Sequence, residues 1–538
     1  MRIPIRDLGF LAAIAAGAAV VVGGMVRPMI RASASATSAR AEANRCPEDI
    51  VRRVDAAFRR QWTSEGLAPA GRAPELAIVR RISLALCGTI PSLEEIRRLE
   101  ALPEGRRADA WLDEILRDRR SADYLAERFA RVLVGTEDGP FLKFRRRRFV
   151  TWLSDAILAN RPYHAIVRDL IADRGLWTDH PATNFLTVTI DEKTERPTPE
   201  RLAARTARAF LGVRLDCAQC HDHPFQPWKQ GQFRGLAAFF GASHCDLRGI
   251  RDTENDYRPT DRKGKELPTI EPEVPFLPEL LPPSTASESR TRLAGWVVDP
   301  RNPALARVTV NRLWALLLGR PLAEPVDDLP ASGELHPALT MLADDFASHG
   351  YDLRRLIRVI ASTEVFRLDS ADDAAGLGHE AAWAVFPICR LRPEQVAGAV
   401  FQAGALSTLG PESHWFTRFL VFSGRNDFVH RYGDTGEDEF DARAGTIPQR
   451  LLMMNGKIVR ERIEDGPFPA SSSLARLAPD DRQAVEAAYL VVLTRRPTDE
   501  ELGHFIGRLD ASTGDERKHR IADLFWTLIN STEFSWNH

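Results

Sequence analysis

Thr198-Pro199-Glu200-Arg201-Leu202-Ala203-Ala204-Arg205-Thr206-Ala207-Arg208-Ala209-Phe210-Leu211-Gly212-Val213-Arg214-Leu215-Asp216-Cys217-Ala218-Gln219-Cys220-His221 carries both the architecture of this chain and its most direct chemical signal. Thr198 is a candidate N-cap, and Pro199 sits at the first helical position, where its missing N–H costs nothing. Leu202, Thr206, Phe210 and Val213 recur at helical spacing, so an amphipathic helix runs straight into a Cys-x-x-Cys-His motif.

Working outward, the same signals return. Leu76, Val79, Ile82 and Leu86 mark one apolar face that stops at Gly88, and Ser92 with Glu95 forms a capping box for the next helix. Ser121 is read as opening a helix with Leu125, Phe129, Val132 and Leu133 inward and Gly135 at its end. Further helices are predicted at 148–160, 163–173, 303–318, 336–349, 352–362, 393–405, 480–494, 498–510 and 517–531, with another after Trp228. Phe185 to Ile190 is the best strand candidate in the first half. From 251 to 287, Pro259, Pro268, Pro272, Pro275, Pro278, Pro282 and Pro283 sit among charges with little helical period, a linker or an extended surface crossing. The expected fold is mainly α: two helical domains, 46–250 and 288–538, joined by the Pro-rich linker 251–287, with few short strands. Residues 369–380 and 406–446 read as long loops. The helix start at Pro91-Ser92-Leu93-Glu94-Glu95 is echoed at Pro497-Thr498-Asp499-Glu500-Glu501, a weak internal repeat that shared capping chemistry also explains.

At 538 residues the chain is long enough for several domains, and its net charge of −2 gives no field that would gather nucleic acid. The basic run Lys143 to Arg148 reads as a solvated helix start. Arg2 and Arg6 precede an uncharged apolar run from Leu8 to Val26, about 28 Å long at ~1.5 Å per residue, just enough to span a bilayer. Small-x-small sites follow at Ala32-Ser33-Ala34 and Ala34-Ser35-Ala36. Residues 1–31 are therefore an anchor or a cleaved signal and 32–45 an Ala/Ser-rich tether, which places the remainder in the periplasm or at the cell surface.

The motif admits three chemistries. Cys-x-x-Cys-His is the spacing that attaches a c-type haem, through thioether links to Cys217 and Cys220 and ligation by His221. Phe225, Trp228, Phe233, Phe239 and Phe240 could wall such a group, although aromatic residues in a helical protein more often form its core. Downstream Met occurs only at 341, 453 and 454. His223 is too close to His221 to reach the opposite face of the same ring, so His244 is the nearest candidate for a distal ligand, with a five-coordinate iron as the alternative. The second chemistry is zinc, held by Cys217 and Cys220 with two of His221, His223, His244 and Cys245. The third needs no cofactor: a Cys217–Cys220 disulfide or a redox dithiol.

Elsewhere the chemical signals are weaker. Asp327-Asp328 with His336 could form a carboxylate–imidazole site, against helix capping as the plainer use. The Arg- and Asp-dense stretch Arg425 to Arg450 suits carbohydrate or anion binding, against a solvated loop network.

These landmarks together resemble the DUF1549 (planctomycete cytochrome-type domain 2) and DUF1553 pair of secreted planctomycete proteins. The first is suggested by Arg80-Arg81-Ile82-Ser83-Leu84, by Phe210-Leu211-Gly212-Val213-Arg214-Leu215 leading into Cys217-Ala218-Gln219-Cys220-His221-Asp222-His223-Pro224-Phe225, and by Gly235-Leu236-Ala237-Ala238-Phe239-Phe240. The second is suggested by Asn302-Pro303 through Asn311-Arg312-Leu313-Trp314, Glu324-Pro325-Val326-Asp327-Asp328, His349-Gly350-Tyr351-Asp352-Leu353, Met453-Met454-Asn455-Gly456 and the closing Glu533-Phe534-Ser535-Trp536-Asn537-His538. The resemblance implies no assigned activity. The expectations that follow are an exported redox module carrying haem c and meeting a redox partner protein or a cell-envelope component, with membrane contact through the N-terminal segment. The alternatives are a non-haem surface-assembly protein holding zinc or a disulfide, and an enzyme acting on extracellular polymers.

Overall fold

Helix α1 (Glu48–Glu65) turns one face inward with Ile50, Val54, Phe58 and Trp62, whereas α2 (Glu75–Cys87) is buried on every side from Ile78 onward. The second helix ends as its sequence predicts, on Gly88 at φ +63, whose N–H returns to the carbonyl of Leu84. A Cβ at Gly88 would also lie 2.4 Å from the ring of Tyr124, so both backbone conformation and space demand glycine there. The computed structural model describes residues 48–136, 139–140, 142–191, 193–254, 257–260, 265–284, 289–330, 335–370, 376–410, 454, 469–510 and 512–538. The expected anchor 1–31, the tether 32–45, Cys46, Met453, Asn455-Gly456 and the stretch Arg425 to Arg450 lie outside those residues. So do 371–375 of the first expected loop and 411–446 of the second.

The helices follow their caps. Ser92 and Glu95 close the expected capping box on α3 (Leu93–Glu100), and α4 (Arg107–Ile115) follows. The next helix, α5 (Arg119–Val134), is capped by Asp118 and not by Ser121. The Asp118 carboxylate accepts from Arg120 N at 2.7 Å, leaving Ser121 buried inside the first turn. After α6 (Arg146–Leu158) and α7 (Tyr163–Ala172), the predicted strand at Phe185–Ile190 is instead helical over its first half: α8 (Asn184–Thr187) follows a 3-10 turn at Pro181–Thr183, a turn covers 188–189, and Ile190 makes an isolated bridge to Pro197. Burial explains the error. Thr187 and Thr189 are as buried as their apolar neighbours, so no strand-like alternation exists. The Thr183 and Thr189 hydroxyls donate to carbonyls three residues back, at 2.7 and 2.8 Å, which satisfies them locally.

Then come α9 (Pro199–Thr206), α10 (Gln230–Ala238) and a hairpin of β1 (Ser243–Asp246) and β2 (Gly249–Asp252). The second half supplies α11 (Ser289–Val297), α12 (Ala304–Leu318), α13 (Pro337–Ser348), α14 (Leu353–Ser362), α15 (Glu364–Arg367), α16 (Leu377–Ala381) and β3 (Cys389–Arg390). It continues with α17 (Pro393–Ala403), α18 (Ala470–Leu477), α19 (Asp481–Leu493), α20 (Asp499–Leu509), α21 (Gly514–Ile529) and β4 (Trp536–Asn537), which pairs antiparallel with β3. The echoed start at Thr498 is a true capping box with Glu501, and the helix before it also ends left-handed, at Thr494. The fold is mainly α with two small two-stranded sheets among the described residues.

Residues Pro47–His538 form one compact unit. One core runs from Ile50 to Phe386 and a second joins Leu84 and Ile90 to residues between Leu391 and Phe534, so α2 contributes to both. Helix α12 packs on α13, on α2 and on the turn that follows α9, while α7 lies against α11. Helices from either side of the Pro-rich stretch thus share a core, and the described part of that stretch, irregular but for a 3-10 turn at Pro278–Leu280, is pinned by backbone bonds such as Glu273 N to Gly235 O at 3.1 Å.

Arg290 fastens the crossing. Its side chain is fully buried, pairs with Asp252 at 2.7 and 3.0 Å, and donates to the carbonyls of Ile171 and Asp173. Removing the cation leaves a carboxylate that is only 3% exposed with Arg174 as its remaining ion partner, Nε to Oδ2 at 3.0 Å. Arg290→Met is expected to cost ~3 kcal/mol in urea unfolding, with the double change Asp252→Leu/Arg290→Met costing less because the one charge it leaves, on Arg174, is 46% exposed and reaches solvent.

Candidate functional site

Helix α9 widens after Thr206 into a π-type turn over Ala207–Leu211 and stops at Gly212, φ +65. The hydroxyl of Thr198 does not cap this helix; it donates to the carbonyl of Thr189 at 2.7 Å. A side chain at Gly212 would press on Val308 at 3.0 Å and Leu329 at 3.2 Å, both from the second half. One 3-10 turn follows, Leu215–Ala218. With three residues per turn, Leu215 and Ala218 share the buried face and Cys217 lies off it, while Cys220 follows the turn. Cys217, Gln219, Cys220, His221 and Asp222 are all exposed.

The two histidines of the motif hold opposite tautomers. His221 places Nδ1 2.6 Å from the carbonyl of Asp222. A carbonyl only accepts, so Nδ1 carries the proton and, in the neutral ring, Nε2 keeps its lone pair. His223 does the reverse: its Nδ1 accepts from the N–H groups of Phe225 and Gln226 at 3.1 and 3.0 Å, which puts the neutral ring's proton on Nε2. His221 is the ligand-competent imidazole and His223 is a turn-former.

The Cys217 thiol is pushed up by burial and by the Asp216 carboxylate, so it is a neutral thiol, unlike the depressed thiolates of redox dithiols. The Asp222 carboxylate is held below its usual range by the N–H of Gln230 and by Lys229.

Both ends of the turn are gripped from the second half. Arg208 pairs with Asp216, with Nε to Oδ1 at 3.1 Å, and reaches Asp327 at 3.5 Å. Arg214 pairs with Asp327 at 2.8 Å. Asp328 accepts from Arg214 N at 3.1 Å on one oxygen and from Gln226 Nε2 at 3.0 Å on the other. The Gln226 amide is oriented by Trp228, whose Nε1 donates to Oε1 at 2.8 Å. Leu329 N bonds Gly212 O at 2.7 Å. Arg312 donates to the carbonyl of Ala209 within the π-type turn at 3.1 Å.

His244 and Cys245 stand on β1, where burial and the Asp246 and Glu195 carboxylates push the Cys245 thiol up, against Lys143. Among the described residues no three His, Cys, Asp or Glu side chains converge as a metal site requires, so Cys217, Cys220, His221, His223, His244 and Cys245 are not drawn into a zinc centre. The aromatic wall also divides. Phe233, Phe239 and Phe240 are buried in the core and Trp228 nearly so, while Phe225 is 92% exposed.

His336 does not join Asp327. It caps α13, with Nδ1 accepting from Ala338 N at 3.2 Å, and stacks on Phe58 at 4.7 Å. The carboxylate–imidazole pair read from sequence is therefore corrected: the carboxylates serve the motif turn and the imidazole serves a helix end.

As a donor set the turn fits a covalently attached haem: two exposed cysteines, an imidazole with an Nε2 lone pair, and a bare phenyl ring four residues on. The buried aromatic residues belong to the core and do not enclose it.

The molecule is thus a mainly helical protein that displays a Cys-x-x-Cys-His turn on its surface, secured by carboxylates from its second half. Residues 53–244 match the family model described as a protein of unknown function, DUF1549 (PSCyt2), and residues 289–418 match the one described as a protein of unknown function, DUF1553 (PSD1). The chain belongs to the family that carries this pair of domains. No curated protein and no solved structure matches it.

Burial pushes the His336 imidazole down to about 4. A folded-state value below the ordinary ~6.5 means that the fold favours the neutral ring. The stabilisation is full above pH 6.5 and is lost as pH falls through about 4. His336→Asn, which keeps a capping side chain but cannot titrate, is expected to flatten the stability profile across that window, measured by urea unfolding at successive pH values.

Proposed function

We propose that the protein is an exported redox module in which Cys217, Cys220 and His221 hold a c-type haem at the surface. It would exchange electrons with a redox partner protein or a cell-envelope component, and be directed to the periplasm or cell surface by its N-terminal segment. The observation that carries this reading is the His221 ring: its Nδ1–H is committed to the Asp222 carbonyl beside two outward-facing cysteines, which leaves Nε2 for a metal. Cys217 and Cys220 would hold the group through thioether links. The group supplies one-electron chemistry when bound. His221 would ligate it through Nε2, and Asp222 would place beside it a carboxylate whose charge is kept by Gln230 N and Lys229.

The raised Cys217 thiol counts against a thiolate-based oxidoreductase, and the lack of convergence among the Cys and His side chains counts against zinc.

The test is production in a host with c-type attachment machinery, followed by a haem stain and a pyridine haemochrome spectrum. One covalent haem per chain is expected, lost in Cys217→Ser/Cys220→Ser and kept, with an altered spectrum, in His221→Ala. Folded, exported wild-type protein without covalent haem would overturn the reading.

A further inference from the structure

We infer that Asp328 is a positioning residue for the motif turn: one carboxylate, supplied by the second half, staples the two ends of the Leu215–Phe225 loop and so sets the presentation of Cys217, Cys220 and His221. The loop is largely exposed and cannot be held by burial alone. Its middle is tied to the start of α10, where Gln230 donates to Asp222 Oδ1 and to the carbonyl of Gln219, both at 3.0 Å, and its two ends are joined by a pair of bonds to one side chain. Oδ1 accepts from Arg214 N where the chain enters the loop, and Oδ2 accepts from Gln226 Nε2 where it leaves. Neither bond can be replaced by a rotation of Gln226, because Trp228 Nε1 fixes its Oε1 and thereby the donor that faces Asp328. Asp327, buried beside it, ties Arg214 and Arg208, and Arg208 ties Asp216 one residue before Cys217. The ionised carboxylate is required in this place because it accepts on both oxygens. An asparagine accepts on one and meets the second donor with its own NH2.

The inference rests on the proposed attachment site for its function but not for its geometry, and the experiment separates the two. Full-length protein is made with Asp328→Asn, with Gln226→Glu, and with both. Hydrogen exchange of the 214–226 amides in haem-free protein is measured beside thermal unfolding, with maleimide labelling of the exposed Cys217 and Cys220 as a check that the thiols are free. Asp328→Asn is expected to speed exchange roughly tenfold, the size of one lost charge-assisted hydrogen bond, without a matching fall in overall unfolding temperature. The double variant restores slow rates, since the amide introduced at position 328 can donate to the carboxylate introduced at position 226, which still accepts from Trp228. Should Asp328→Asn fail to fold, Gln226→Ala removes the staple from its other end and is expected to give the same rise. Wild-type rates in Asp328→Asn, or in Gln226→Ala, or rates in the double variant as fast as in Asp328→Asn, overturn the staple. In the attachment host, covalent haem yield is expected to fall in Asp328→Asn and recover in the double variant. Absence of haem from wild-type protein sinks the redox reading alone and leaves the exchange comparison to decide the staple.

Discussion

Two adjacent guanidinium groups, Arg80 and Arg81 on α2, are buried among main-chain oxygens with no side-chain carboxylate of the described residues in hydrogen-bonding contact, and the rest of the fold closes around them. Burial pushes Arg80 down to about 10 and Arg81 to about 9, yet both remain cations at neutral pH. A buried charge without a side-chain counter-ion costs several kcal/mol unless oxygen dipoles surround it. Here those oxygens come from distant segments: Val492 and Phe534 for Arg80, and Phe366, Leu368 and His538 for Arg81. The ring of Phe386 lies 3.6 Å from the Arg81 guanidinium carbon and adds a cation–π contact. Because α2 also contributes Leu84 to one core and Ile78, Val79 and Ile82 to the other, its cations make assembly of the two cores interdependent.

The same strategy recurs at the seam between the two family segments. Gly212 lets the first segment approach Val308 and Leu329 closely, and the two residues before Leu329, Asp327 and Asp328, then hold Arg208 and Arg214. Arg290 with Asp252 performs the corresponding service where the Pro-rich crossing ends. Charge pairs of this kind yield less net stability than apolar packing would, but they fix register, because only one alignment leaves no charge unpaired. The boundary between the family segments is therefore a boundary in sequence; in space it is stitched.

What could be read from sequence is what local chemistry decides. Gly88, Ser92 with Glu95, and Thr498 with Glu501 were legible because a cap is made of residues within one turn of each other. Phe185–Ile190 was misread because β-branched residues buried on all sides look alike in a strand and in a short helix. Of the candidate site, the two cysteines and His221 were evident from spacing, but their supports were not. Arg214 and Asp327 are 113 residues apart, and no periodicity links them. The visible hint was an oddity of composition: Arg208, Arg214 and Asp216 interrupt an otherwise apolar run, and Asp327-Asp328 forms an acidic pair in a Pro-flanked loop. His244-Cys245 is near the motif in sequence but stands on a separate element, the strand β1.

Placement of the motif follows from these constraints. Leu215 and Ala218 anchor one face of a single 3-10 turn in the core, which turns Cys217 outward, and Cys220 follows in the exposed chain beyond the turn. A loop so short on buried surface is ordered by polar contacts: carboxylates of the second half at the ends, Gln230 on its middle, and His223 accepting two N–H groups within. Spending His223 on the turn is what leaves His221 as the outward imidazole with an available nitrogen. The division of labour between two histidines separated by a single residue therefore does not depend on any enclosing pocket; it is settled by which backbone groups each ring nitrogen meets.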